Sequence, residues 1–183
     1  VYIAYSRESL AARNVSGAIY PRANFMVDAR PRPAADQIQS LAKMLVESQR
    51  PMPIFGDEVW KSSAQKEVLE LVELLGLPAA GPGLGQGYRN VPTRHPQYVG
   101  TYGTSGEYPR ANADLVIQVG TRDWGGTAPP ASPRLAAGAK FVALGMDTDK
   151  LGRTQPMDLA IVADVKAALR DLIDAVKSTA TAD

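Results

Sequence analysis

A chain of 183 residues is long enough for one substantial hydrophobic core. Its 20 basic and 19 acidic residues give a formal charge of +1, which argues against a surface dedicated to nucleic acid. The absence of cysteine excludes disulfides and thiolate ligands, and the single histidine, His95, excludes a cluster of histidine ligands within one chain. No apolar run approaches the length of a membrane span and no leader-like segment opens the chain, so we expect a cytoplasmic protein that binds neither nucleic acid nor membrane.

The first 33 residues lack the periodicity of a packed domain. Residues 1–5 form an apolar run that predicts a short strand, and residues 7–33 hold several prolines without a regular period, which is typical of an interdomain linker. The chain ends in a polar stretch, residues 179–183, that also resembles a linker. Because the chain begins inside a strand-like run, we expect a piece cut from a longer polypeptide.

Three amphipathic helices are predicted further along. The first places apolar residues on one helical face over residues 38–46. The second is predicted to start with a capping box, Ser62 with Gln65, and to stop at Gly76. The third is predicted to start at Asp164, whose side chain suits an N-cap.

Short apolar runs alternate with these helices. Such alternation predicts an α/β fold, a Rossmann-like doubly wound parallel sheet of about six strands with helices on both faces. The segment at residues 98–102 fits either a strand or a loop. Besides residues 1–5, the predicted strands are residues 52–55, 77–80, 115–119, 141–146 and 159–162.

Ligands of such sheets bind beyond the carboxyl ends of the strands, so the loops that follow the predicted strands are candidate sites. Glycines there allow a close approach of backbone to a pyrophosphate, as Gly56 and Gly120 would. The richest loop carries Gly83 and Gly85 but fails the G-x-G-x-x-G fingerprint, because Tyr88 stands where the third glycine is required. A plain irregular loop is therefore the favoured interpretation.

Charged residues follow the same strand ends. Arg122 could bind a phosphate with its guanidinium, and Asp147 could accept hydrogen bonds from a ribose, with Asp149 as the competing candidate. A solvated rim charge and a turn-forming carboxylate are the competing interpretations. The candidate cofactor-binding residues are Gly56, Gly83, Gly85, Ser105, Gly120, Arg122, Asp147 and Asp164, and no residue is assigned a catalytic or metal-binding role.

No constellation typical of catalysis is visible in the sequence. Ser105 fails the G-x-S-x-G nucleophile pattern because Glu107 stands at the last glycine position, so a turn serine is favoured. His95 lies in a loop, where a structural or solvated histidine is the more common case. This pattern indicates a binding or scaffolding domain.

Several strings in chain order together carry a family resemblance. They are residues 53–60 (Pro-Ile-Phe-Gly to Val-Trp), residues 95–106 (His-Pro-Gln-Tyr-Val-Gly, then Gly-Thr-Ser-Gly), residues 113–122 (Ala-Asp-Leu to Gly-Thr-Arg), residues 147–149 (Asp-Thr-Asp) and residues 156–164. With this order and spacing, the chain resembles the central domain of thiamine-diphosphate-dependent enzymes of the acetolactate synthase and benzoylformate decarboxylase type. Residues 1–5 resemble the last strand of the preceding pyrimidine-binding domain of that family.

The resemblance implies a domain plan and a set of partners. Residues 1–33 would be the tail of the preceding domain plus a linker, residues 34–178 the central nucleotide-binding-like domain, and residues 179–183 a linker. Thiamine diphosphate and magnesium would bind outside this chain, between the flanking domains of a homodimer or homotetramer, and the fragment alone would be inactive. The central domain of such enzymes binds FAD, ADP or no nucleotide.

Two departures from the family pattern bear on that choice. FAD-binding members often carry three glycines where this chain has Gly56-Asp57-Glu58, and two carboxylates there would repel a diphosphate. They also tend to carry a histidine at the position of Ser105. We therefore favour a nucleotide-free central domain, with FAD or ADP as the ligands to test.

Two other classes of function fit the same fold. One is a free-standing, non-enzymatic nucleotide-binding module, similar to a sirtuin-like or electron-transfer-flavoprotein-like domain. The other is a small dehydrogenase, which the broken glycine fingerprint and the lack of an acid–base pair disfavour. The leading hypothesis is the central domain of a thiamine-diphosphate-dependent decarboxylase or carboligase.

Overall fold

The computed structural model describes residues 2–27, 29–82, 90–102, 112–121, 135–149, 151–152 and 156–180. The helices are α1 (Arg7–Ala11), α2 (Ala35–Glu47), α3 (Asp57–Lys61), α4 (Gln65–Leu75) and α5 (Val165–Ala180), with a 3₁₀ turn at Arg22–Phe25. The strands are β1 (Pro51–Phe55), β2 (Ala79–Gly81), β3 (Tyr98–Thr101), β4 (Leu115–Val119), β5 (Lys140–Gly145) and β6 (Leu159–Val162).

The six strands form one parallel sheet in the order β3-β2-β1-β4-β5-β6. The chain builds outward from β1 to β3, then returns to place β4 on the other side of β1, so the topological switch point lies between β1 and β4. Five residue pairs, from Pro51 with Leu115 to Phe55 with Val119, fix the register of these two strands. The predicted α/β fold with six parallel strands is confirmed, and residues 98–102 contribute a strand.

One face of the sheet carries the larger core. Helix α5 packs against α2 and α4, and side chains such as Leu41, Val68 and Leu169 are fully buried against the strands. The apolar stripes of these helices predict that arrangement, because each stripe must be removed from water. On the opposite face, a smaller cluster around Val116 and Phe141 is covered, in the described part of the chain, by side chains of connecting segments.

The predicted strand at residues 1–5 is wrong for the residues that the structure describes. Residues 2–5 have no strand partner and are exposed, since the sheet ends at β3 and β6. A strand needs a neighbour for its backbone groups, and the described chain offers none here. The next residues form the short helix α1, whose N-cap Ser6 accepts a hydrogen bond from the backbone N–H of Ser9 at 3.1 Å.

The predicted capping box at Ser62 is also wrong. A short helix, α3, follows β1 directly, and Ser62 lies at its end, where its hydroxyl donates to the Glu58 carbonyl at 2.5 Å. Helix α4 then starts after Ala64, without a side-chain cap. Its predicted end at Gly76 is confirmed by a left-handed φ of 63°. The predicted cap at Asp164 is confirmed as well, because its carboxylate accepts from the Ala167 N–H at 3.0 Å.

Asp114 joins α2, β1 and β4 at the amino end of the sheet. Its carboxylate accepts hydrogen bonds from the backbone N–H groups of Gln49 and Arg50, both at 3.0 Å, and from the hydroxyl of Ser48. Burial is the largest influence on the pKa of Asp114 and raises it, but these hydrogen bonds and the Arg50 charge together hold the pKa below its ordinary value. Asp114 is therefore a structural carboxylate of the fold.

Candidate functional site

The predicted site residues Gly56 and Gly120 meet at the switch point. The Gly56 N–H donates to the Val119 carbonyl at 2.9 Å. A Cβ atom on Gly56 would lie 2.4 Å from both the Gly120 carbonyl oxygen and the Thr121 Cα. Glycine is required at position 56 because two backbone segments touch there.

Gly120 and a further glycine, Gly145, leave room for one side chain, that of Glu58. A Cβ on Gly120 would lie 2.6 Å from the Glu58 Cβ, and one on Gly145 would lie 2.8 Å from the Glu58 Oε2. The Met146 N–H, just past β5, donates to that same oxygen at 2.7 Å. The Glu58 carboxylate thus occupies the carboxyl end of β5 and accepts the type of hydrogen bond that a ligand phosphate would accept there.

Three backbone donors of this edge are engaged within the protein. The N–H groups of Gly56, Glu58 and Met146 donate to Val119, Gly120 and Glu58, at 2.9, 3.0 and 2.7 Å. A pyrophosphate needs such groups to be free, because backbone N–H donors supply much of its binding at a strand-to-helix turn. These three donors are therefore not available to the diphosphate of FAD or ADP.

Asn90 belongs to the site, although it is part of no recognisable sequence motif. Its side chain is buried, and its amide donates to the carbonyls of Gly56 at 2.7 Å and Phe55 at 3.2 Å. The side-chain oxygens of Asn90 and Thr121 are buried without a hydrogen-bond partner among the described residues. Asn90 holds the β1–α3 turn in place across 34 residues of sequence, and no local pattern could have revealed it.

The other predicted site residues fall into two groups. Asp164 is buried and caps α5, and Val165 lies against Gly120, so the start of α5 borders the site. Asp147 directly follows Met146 beyond β5 and lies at the same edge of the sheet. Gly83, Gly85, Ser105 and Arg122 lie outside the described residues, and their roles stay predictions.

His95 has contacts that suit a structural role. Its Nε2 lies 3.2 Å from the Glu73 Oε1, and its Nδ1 accepts from the backbone N–H of Gln97 at 3.3 Å. The Gln97 carbonyl in turn accepts from the Ala79 N–H at 2.7 Å. The His95 loop therefore orders the approach to β3.

Within the described ranges, no three His, Asp or Glu side chains lie close enough together to hold a metal ion. None of the helices described is long and apolar enough to cross a membrane.

Comparison with known proteins gives a consistent result. The chain matches the family described as thiamine pyrophosphate enzyme, central domain, over residues 38–172. It is 31% identical over 144 residues to the "Probable acetolactate synthase large subunit" of Methanocaldococcus jannaschii, covering 76% of this chain and 24% of the relative. It is 28% identical over 150 residues to glyoxylate carboligase of Escherichia coli O157:H7, covering 78% of this chain and 25% of the relative.

Among solved structures, benzoylformate decarboxylase from Polynucleobacter necessarius is similar in fold, with a TM-score of 0.74 at 19% identity over 90% of this chain and 30% of that chain. The chain spans about a quarter of the length of the curated relatives it matches.

Proposed function

This chain belongs to the family of thiamine pyrophosphate enzyme central domains, and on that premise we propose that it is the structural central domain of a larger decarboxylase or carboligase. Residues 34–178 would form this domain, residues 1–33 would be the end of a preceding domain with its linker, and residues 179–183 would be a second linker. In the full-length enzyme, a homodimer or homotetramer, thiamine diphosphate and magnesium would bind in the flanking domains. The observation that carries the domain assignment is the family match over 135 residues, 38 to 172, on a six-stranded parallel sheet.

We further propose that this central domain binds neither FAD nor ADP at its strand ends. The supporting observation is the hydrogen bond of 2.7 Å from the Met146 N–H to the Glu58 carboxylate. An internal anion holds that position, and a ligand phosphate would have to displace it against charge repulsion. The domain then acts by holding its neighbours in place.

Ligand-dependent thermal unfolding tests the nucleotide-free proposal. Millimolar FAD or ADP should leave the unfolding midpoint of the 183-residue chain unchanged when Lys61, which lies away from the strand ends, is replaced by glutamate, because a ligand raises the midpoint only when it binds the folded state. The variants below are made in this Lys61→Glu chain. Glu58→Gly removes the internal carboxylate and frees the Met146 N–H, so the midpoint of this variant should rise with ADP. Glu58→Gln is the matched control, since it keeps an acceptor of the same shape and should show no response. A rise in Lys61→Glu without a change at Glu58 would contradict the proposal, whereas a rise that requires Lys61 would come from a site away from the strand ends.

The free-standing module is the alternative. An assay of the full reading frame that contains this chain separates the two: thiamine-diphosphate-dependent turnover of a 2-oxo acid supports the central-domain proposal, whereas a reading frame limited to this fold would overturn it.

A further inference from the structure

A cleft with basic walls lies between the N-terminal linker, the turn from α3 to α4, and the start of α5. We call it the basic cleft; its five basic residues, Arg30, Arg32, Lys61, Lys166 and Arg170, line a volume of about 650 Å³. We propose that the basic cleft binds a small phosphate-bearing anion. The proposal is independent of the proposed function, because none of the strand-end glycines lines the cleft.

Specific contacts bring the three segments together. The Asp164 N–H donates to the Pro31 carbonyl at 2.8 Å, which places the two arginines of the linker beside the first turn of α5. The Lys166 ammonium donates to the Ser63 carbonyl at 3.1 Å, which ties the α3–α4 turn to the same helix. Basic residues that are far apart in the sequence therefore share one cleft.

Glu67 anchors two of the cations. Its carboxylate is buried, accepts from the Arg170 Nε at 2.9 Å, and lies 3.6 Å from the Lys166 Nζ. Burial, the largest influence, raises the pKa of Glu67, but hydrogen bonds from the backbone and Arg170 and the two nearby positive charges outweigh it and lower the pKa. Glu67 is therefore ionised at neutral pH and holds both side chains at the cleft.

Ion pairs account for three cations of the cleft. Arg32 pairs with Asp171, and Lys166 and Arg170 pair with Glu67. Lys61 has no ion-pair partner among the described residues. A cleft that keeps an unneutralised cation is suited to an anionic ligand.

The size and the donor chemistry define the class of ligand. Sites for small molecules commonly measure about 300–1,000 Å³, and the basic cleft falls within that range. Arginine forks and lysine ammonium groups are the side chains that bind phosphate oxygens in proteins. The phosphate could come from a nucleotide or from a free polyphosphate, which share the diphosphate group.

Calorimetric titration of the 183-residue chain with inorganic pyrophosphate tests the proposal. We expect saturable binding that weakens as salt is added, because partly exposed charges are screened. Lys61→Ala should weaken it about tenfold, the loss of one charge-assisted contact. Lys43→Ala, an exposed lysine on α2 that pairs only with Glu47 in the described structure, removes the same charge elsewhere and should change the affinity less than twofold.

The outcomes distinguish binding at the basic cleft from general electrostatic attraction to the protein surface. Equal weakening by Lys61→Ala and Lys43→Ala, or no saturable binding by the unmodified chain at low salt, would overturn the proposal. Lys61→Glu serves as a second variant and should abolish binding while leaving the unfolding midpoint near that of the parent. If ADP displaces pyrophosphate, the source is a nucleotide; if it does not, the cleft takes free polyphosphate, and both results support the site.

Discussion

Replacing Gly56 with alanine should lower the free energy of unfolding by about 3 kcal/mol, the upper range for overpacking in a rigid site. The new methyl group would lie 2.4 Å from the Gly120 oxygen and the Thr121 Cα. Both are backbone atoms and cannot rotate away, so β1 and β4 would have to separate at their paired ends. Chemical denaturation followed by circular dichroism would measure the loss.

Two other glycines provide matched controls for that variant. Gly17 has open space around it, so Gly17→Ala should change stability by less than about 0.5 kcal/mol. Gly138 also has open space but a φ of 78°, so Gly138→Ala should cost about 1 kcal/mol from backbone strain alone. If Gly56→Ala costs no more stability than Gly138→Ala, β1 and β4 can separate at the switch point. The close backbone contact at position 56 would then not require glycine.

Replacing Asp114 with alanine should lower the free energy of unfolding by about 2 kcal/mol, because a charge-assisted acceptor of several hydrogen bonds is lost. The backbone N–H groups of Gln49 and Arg50 would lose the carboxylate that they bind at 3.0 Å. Asp149, an exposed aspartate after β5, offers the control, and Asp149→Ala should change stability by less than about 0.5 kcal/mol. Equal losses in the two variants would contradict a structural role for Asp114.

The stabilisation from Asp114 should depend on pH in a defined direction. Its pKa in the folded protein lies below the ordinary 3.8, so its contribution is complete above pH 3.8 and is lost as the pH falls through the folded value. The stability of Asp114→Asn should therefore fall less steeply on acidification than that of the unmodified chain. If the free energy of unfolding, measured by denaturation from pH 7 to 3, falls with the same slope in the two proteins, this assignment is contradicted. Glu67, whose pKa is also lowered, contributes to the loss of stability at low pH in both proteins.

The family resemblance seen in the sequence is confirmed by the match to the thiamine pyrophosphate enzyme central domain. The tripeptide Gly56-Asp57-Glu58 departs from a pattern of three glycines, and the structure makes room for the larger side chain of Glu58. Glu58 takes space that glycines at positions 120 and 145 leave open, and its carboxylate closes the end of β5. Glycine at a strand end thus indicates close approach, and the approaching group here is a side chain of the protein itself.

The sequence alone determined the parallel sheet, the positions of five of its six strands and the ends of two helices. These features are local: apolar runs such as that of β4 must be buried, Gly76 adopts a left-handed conformation, and Asp164 caps the residues beside it. The tertiary structure decided what the glycines make room for, what Asn90 holds, and which cations share the basic cleft. Each of these depends on contacts between distant residues, such as the 88 positions that separate Glu58 from Met146, and no local pattern encodes such a distance.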